Sequence, residues 1–254
     1  MGDERRDRVK GGSRVKSTYV SGIKIKPELF PQEAVYPFTI SALAGSNTLR
    51  FDSAVTFFVG ENGTGKSTLL ESIAKRCNIY IWRGVKRSRV GRNPYEDSFY
   101  EFIEVEWTKN LVPGAFFAAE LFRNFSQLLD EWASTDPGLL SYYGGRSLLE
   151  QSHGQSHISF FESRFALEGV YLLDEPENAL SPRAQTVLLD IIAKSVADKK
   201  GQFIIATHSP ILLSYPGAEI FSFDDSPIGK IAYEETEHFQ VYREFFDKRH
   251  TKTP

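Results

Sequence analysis

The sequence predicts an α/β chain built on a parallel, doubly wound sheet, and three stretches carry that prediction. The first is VTFFVGENGTGKST, an apolar run from Val55 to Val59 that opens directly into a glycine-rich loop and then a helical pattern. The second and third are VYLLDEP from Val170 and FIIATHSP from Phe203, short apolar runs that each end in polar side chains suited to chemistry. Short runs buried on both faces and alternating with helices make parallel strands, and such sheets gather their sites at the strand carboxyl ends.

Each element follows in order. The opening MGDERRDRVKGGSRVK mixes charge and glycine, so residues 1–18 read as a flexible arm and 19–254 as a single domain. Tyr19 to Ile25 is strand-like and begins an antiparallel amino-terminal β part. After the glycine-rich loop, Leu69, Leu70, Ile73 and Ala74 recur at helical spacing from Ser67 onward. Residues 83–98 (RGVKRSRVGRNPYEDS) form a polar loop between Ile79 to Trp82 and an alternating strand, Phe99 to Trp107. Glu120 to Ala133 is helical, with Leu121, Phe125, Leu128, Leu129 and Trp132 on one side, and Asp136, Pro137 and Gly138 end it. Residues of about 78–150 thus form an inserted, mainly helical lobe. Ser147 to Leu167 reads as helix in two pieces. A strand at Val170 to Leu173, a helix at Pro182 to Ala197, a strand at Phe203 to Ala206 and a last helix at Glu237 to Lys248 complete the pattern.

Composition narrows the classes. With 254 residues, 41% hydrophobic and 25% charged, the chain can bury a full core and is not a disordered polymer. A net charge of −3 argues against wholesale coating of nucleic acid, while leaving local patches open. The single cysteine, Cys77, excludes an intramolecular disulfide framework and suits a reducing interior. No apolar run reaches the roughly 18 residues of a membrane span, so a soluble, cytoplasmic protein is expected, meeting a membrane only through a partner.

The loop Gly60 to Thr68 has the spacing G-x-x-x-x-G-K-S between a strand and a helix, the context a phosphate-binding loop requires. Gly60, Gly63 and Gly65 permit backbone conformations and close approach that a Cβ would block. The amides through Glu61, Asn62, Gly63, Thr64, Gly65, Lys66, Ser67 and Thr68 can then turn toward phosphate oxygens at a helix start. Lys66 is placed to reach the β- and γ-phosphates, and Ser67 to offer its hydroxyl to Mg²⁺. Asp174, delivered at the tip of a buried strand, suits the same metal, and Glu175 beside it suits a general base for water. His208 follows the next strand and can hydrogen-bond the γ-phosphate and the attacking water.

GENGTGKST, LLDEP and ATHSP, in that order, resemble the Walker A, Walker B and switch-histidine motifs of ABC-type ATPases, over most of residues 19–223. The form DEPENALSP is more similar to the soluble RecF-like and SMC-like branch, often labelled AAA-family, than to transporter cassettes. The resemblance implies a P-loop NTPase fold with an ABC-like core sheet, ATP as substrate, Mg²⁺ as cofactor, and two copies of the chain closing head to tail over two ATP molecules. It also implies a signature ahead of Walker B. Here QSHGQSH supplies Ser152, Gly154 and Gln155, with His153 in place of a glycine. Glu177 to Ser181 falls at the D-loop, with Ser181 where many relatives place Asp. Glu120 ends the strand that leads to the Q-loop, either as a metal- and water-sensing residue or as a helix-start acid favoured by the dipole. Tyr36 and Phe38 either stack on adenine, as the family's aromatic loop does, or pack in the core.

Only 108 positions separate Lys66 from Asp174, too few for a long coiled-coil insertion, and no sustained heptads occur. Arg83, Lys86, Arg87, Arg89 and Arg92 form a basic loop that either grips phosphates of DNA or RNA or is simply solvated. Three functions stay open at this level: an ATPase acting with nucleic acid or a partner protein in genome maintenance or defence, the nucleotide-binding subunit of a transporter, and an ATP-gated binding module with little turnover. The lack of a guanine-reading N-K-x-D element agrees with ATP.

Overall fold

The computed structural model describes residues 18–31, 35–83, 93, 95, 97–108, 111–143, 145–151 and 153–250. In chain order the elements are β1 (Val20–Ile25), α1 (Ser41–Ala44), β2 (Thr48–Arg50), β3 (Val55–Val59), α2 (Lys66–Arg76), β4 (Ile103–Trp107), β5 (Gly114–Ala118), α3 (Phe122–Thr135), α4 (His153–Phe165), β6 (Gly169–Asp174), α5 (Pro182–Ala197), β7 (Gly201–Ala206), α6 (Pro210–Leu213), β8 (Glu219–Ser222), β9 (Gly229–Ile231) and α7 (Glu237–His250). The core sheet has the order β5-β6-β7-β3-β8-β9, parallel except for the antiparallel edge strand β9. A second sheet, β2-β1-β4, is antiparallel throughout.

Alternation along the core strands explains the layers. In β6, Val170 and Leu172 pack with the amino-terminal sheet and α2, whereas Tyr171 and Leu173 pack with α3, α4 and α5. In β7, Ile204 and Ala206 take the first face and Phe203 and Ile205 the second, all fully buried. Such two-sided burial turns these strands into continuous apolar runs, and each large side chain contributes about 1.5–3 kcal/mol of apolar transfer. Gln202 is the polar exception. Its side chain accepts from the amides of Tyr19 and Val20, each at 2.8 Å, and donates to the Val20 carbonyl at 2.8 Å, fastening β1 to the core sheet.

The inserted segment is shared out by the topology. β4 joins the antiparallel sheet and β5 the edge of the core sheet, so the helical part of the lobe is α3 with the 3-10 turns at Pro137–Tyr143. The strand expected from Phe99 starts at Ile103, because Phe99–Phe102 forms a 3-10 turn that buries Phe99 under α2. Of the two helical pieces expected in 147–167, α4 is the one present among the described residues. Before it the Ser147 hydroxyl accepts from the Leu149 amide at 3.1 Å and donates to Asp130 at 2.5 Å, local bonds that compete with helix. Among the described residues no helix is long and apolar enough to cross a membrane.

Candidate nucleotide site

The register of the core sheet assembles the site. Phe58 of β3 pairs with Ala206 of β7, Ala206 with Asp174 of β6, and Asp174 with Ala118 of β5, one row across four strands. The residues that follow this row, Gly60, Glu175, His208 and Glu120, therefore leave the sheet along one edge.

Gly60, Gly63 and Gly65 all hold positive φ, at 137°, 85° and 99°. Gly65 is the N-cap of α2, and a Cβ there would come within 2.9 Å of Leu43, so both the torsion and the space demand glycine. No side chain caps α2, which leaves its first-turn amides and its positive dipole end for an anion. Lys66 is buried and donates to the carbonyls of Gly60 at 2.6 Å and Glu61 at 2.8 Å. Burial pushes its ammonium pKa down, against the pull of Glu175, Asp224 and Asp174. An ammonium so placed is ready to exchange carbonyl partners for phosphate oxygens.

Beside it, the Ser67 hydroxyl donates to Asp174 Oδ1 at 3.0 Å. Burial pushes the Asp174 carboxyl up to about 7, with Glu175, Glu71 and Glu120 adding to the rise and the Ser67 bond opposing it. This carboxylate has one hydroxyl and three acidic neighbours, and among the described residues it feels the Lys66 ammonium but makes no direct ion pair. Hard oxygen donors in this state fit a hard divalent cation such as Mg²⁺.

Glu175 sits in the left-handed region at φ 45°, ψ 53°, an arrangement that costs a non-glycine residue about 1 kcal/mol or more and is found preferentially at functional sites. Its Oε2 accepts from Asn178 Nδ2 at 2.7 Å, and its Oε1 lies 3.7 Å from His208 Nε2. The His208 amide donates to Glu177 Oε1 at 2.6 Å. Glu177 is itself pushed above the usual carboxylate range, chiefly by burial. On its other side His208 Nδ1 stands 2.9 Å from Nε2 of His238, on α7.

The remaining expectations divide. Tyr36 is half exposed, and its hydroxyl shares a 2.9 Å hydrogen bond with Thr68 Oγ1, beside a cavity of about 180 Å³ shared with Ser67, Glu71 and Arg83. Phe38 is core: it is 7% exposed, with its ring centroid 4.9 Å from those of Phe30 and Phe102, so the adenine-stacking alternative does not hold for it. Glu120 is an exposed turn residue two positions past Ala118, close enough to act on Asp174 electrostatically. Gly154 and Gln155 lie in the first turn of α4, and a Cβ on Gly154 would meet open space. Ser152 lies outside the described residues, as do Lys86, Arg87, Arg89 and Arg92 of the basic loop. Arg83 is bound to Glu71 and, at 2.6 Å, to Asp97, and so is occupied within the fold. Ser181 caps α5 by accepting from the Ala184 amide at 3.2 Å.

Two residues of the site escaped sequence reading. Asp224 follows β8 and takes the Glu61 amide at 2.7 Å, bracing the phosphate loop; a strand beside β3 that ends in an acid was the available signal. His238, a lone histidine at the start of a polar helix, gave none.

Comparison with known proteins agrees with this architecture. Residues 142–214 match the family described as "AAA domain, putative AbiEii toxin, Type IV TA system". An uncharacterized ABC transporter ATP-binding protein of Schizosaccharomyces pombe is 26% identical over 192 residues, 71% of this chain but 28% of that protein. The chain therefore spans under a third of this curated relative. Among solved structures, cbiO1 from Clostridium perfringens, part of the ABC transporter complex cbiONQ, superposes with a TM-score of 0.52 at 16% identity, covering 93% of this chain and 97% of that one. A structure described as "an inward-facing conformation of a putative metal-chelate type ABC transporter" gives 0.50 at 16% identity, covering 89% and 88%. The chain shares its α/β fold with these ABC transporter components.

Proposed function

We propose that this chain binds ATP with Mg²⁺ at Gly60–Thr68 and hydrolyses it, and the observation that carries this reading is the single row of sheet register that brings Lys66, Asp174, Glu175 and His208 to one edge. The α2 amides and Lys66 hold the β- and γ-phosphates, and Tyr36 flanks the adenine. Ser67 and Asp174 would hold Mg²⁺, with Glu120 nearby; when bound, the ion neutralises charge developing on the phosphates. Glu175 takes the proton of the attacking water, and His208 orients that water and the γ-phosphate. Phosphoryl transfer asks mainly for positioning and charge, which these groups supply.

Gly154 and Gln155 stand on α4, a different element from the phosphate loop, which supports a dimer in which each copy closes the other's nucleotide, with Ser152 part of the same signature. The output goes to nucleic acid or a protein partner in genome maintenance or defence, in the RecF-like and SMC-like manner. The transporter descriptions of the S. pombe and C. perfringens relatives favour a second reading, a nucleotide-binding subunit that meets the membrane through a partner.

The test is steady-state hydrolysis of MgATP by the purified chain and by Glu175→Gln, with double-stranded DNA added at two salt concentrations. Loss of turnover in Glu175→Gln, with ATP still bound and a dimer trapped, is the expected result. Equal turnover in the two proteins would remove Glu175 from the chemistry. Stimulation by DNA that fades with salt supports the nucleic-acid reading, whereas indifference to DNA and co-purification with a membrane protein support the transporter reading.

A further inference from the structure

Resting on the reading of His208 as a phosphate-facing side chain, we propose that His238, in the first turn of α7, is a positioning residue whose ring donates a hydrogen bond to His208 and so fixes His208 with its proton on Nε2, aimed at the terminal phosphate.

The geometry begins with two ring nitrogens, His208 Nδ1 and His238 Nε2, at 2.9 Å. Two imidazoles at that distance share one proton between these atoms, one nitrogen donating and the other accepting. Burial, then the nearby Lys66 ammonium, holds both rings below the ordinary histidine range, which makes a neutral pair. The other charged groups facing them are Glu175 and Glu61 for His208, and Glu237, Asp224 and Glu61 for His238.

A neutral pair has two arrangements. If His208 donated from Nδ1, its Nε2 would turn a lone pair toward Glu175 Oε1 at 3.7 Å and toward an anionic phosphate. If His238 donates, His208 carries its proton on Nε2, facing both acceptors. The second is the electrostatically favourable one. Among the described residues, the outer nitrogens of both rings, His208 Nε2 and His238 Nδ1, are buried polar atoms with no hydrogen-bond partner in the chain, and it is His208 Nε2 that lies beside Glu175, as a group reserved for a ligand at that edge would.

His238 is well held for the task. Thr236 accepts the amides of Phe239 at 3.3 Å through its hydroxyl and Gln240 at 3.1 Å through its carbonyl, and the Phe239 ring packs on Tyr233 at 4.8 Å. Glu177 fixes the backbone of His208, but it leaves the ring free to turn about its side-chain torsions. The ring's orientation and its proton are therefore supplied by α7, an element that holds none of the family motifs.

The test compares the unmodified chain with His238→Phe, which keeps a ring but loses the donor, and His238→Gln, which restores an N–H donor. In the unmodified chain, ¹⁵N NMR of the imidazoles is expected to show His208 protonated on Nε2, with Nδ1 an acceptor of a hydrogen bond. In His238→Phe that Nδ1 signal moves to an unbonded acceptor, kcat for MgATP falls about tenfold or more, and KM changes less than about twofold. His238→Gln is expected to recover kcat to within about threefold of the unmodified chain. Thermal melting confirms that each variant folds. Protonation of His208 on Nδ1, or an unmoved His208 signal in His238→Phe, would overturn the proposal, as would full kcat in the Phe variant. If the unmodified chain and Glu175→Gln both lack turnover, the ATPase reading fails, while the NMR measurement still decides the histidine pair.

Discussion

Replacing Asp174 by Asn should stabilise the nucleotide-free protein, and by more as the pH rises. The folded carboxyl is pushed from 3.8 up to about 7 by burial, so between these values the folded state binds more protons than the unfolded chain. Stability then falls as pH rises through that window and levels off above it, since the slope follows the excess of protons bound by the unfolded state, here negative. At 1.36 kcal/mol per unit, the full penalty is about 4 kcal/mol, of which about 2–3 kcal/mol accrues between pH 5 and pH 8. Asn carries no such charge and keeps an oxygen for the Ser67 hydroxyl. Urea unfolding of both proteins in a chelator, at pH 5, 6, 7 and 8, reads the difference directly. A stability gap that widens with pH supports a carboxylate buried without its cation. A gap that is flat, or that narrows with pH, would show that Asp174 has another partner and is not waiting for a metal. With MgATP added the order should reverse, because the carboxylate binds the ion more tightly than a neutral amide oxygen does and gains more stability by linkage.

Other outcomes follow from single contacts. Gln202→Leu strands the amides of Tyr19 and Val20 and the Val20 carbonyl and should cost about 3–9 kcal/mol in urea unfolding, at about 1–3 kcal/mol for each buried group left unpaired. Phe38→Ala should lose about 3–5 kcal/mol of stability with little change in nucleotide affinity, whereas Tyr36→Ala should do the reverse, read by melting and by titration of a fluorescent ATP analogue. Gly65→Ala meets both a φ of 99° and Leu43, and should lower nucleotide binding more than Gly63→Ala, which meets no atom within 4 Å. Cys77 is buried, its thiol pushed up to about 12, and it should resist thiol reagents at pH 8 until the protein unfolds.

The core was legible because the parallel strands are buried on both faces and read as unbroken apolar runs. β3, β6 and β7 fall within two residues of the expected strands, and Pro182–Ala197 matches the expected helix, marked by a serine cap and an N-terminal proline. The phosphate loop was legible for a related reason, since its spacing is a backbone requirement. Phe38 was ambiguous because an aromatic near a nucleotide loop and an aromatic in a core look alike until neighbours are known. Phe30, Tyr95, Phe99 and Phe102 gather around it from separated stretches. His238 was invisible, and Asp224 marked only by the strand it follows, for the same reason, as each acts through a residue far away in the chain.

The bond between β1 and Gln202 also sets an order of events during synthesis. Tyr19 and Val20 leave the ribosome early, yet the side chain that satisfies their amides is made 183 and 182 residues later. At about 5–20 residues per second, translation leaves this apolar strand waiting roughly 10–40 seconds for its partner. β4 can shield it sooner, through pairing from Val20↔Trp107 to Ile25↔Ile103, but the antiparallel sheet cannot be fastened to the core until β7 is complete. A segment made well before the core strands is thus among the last to lock, and a nascent chain stalled before Gln202 would present an unlatched β-ribbon to chaperones and proteases.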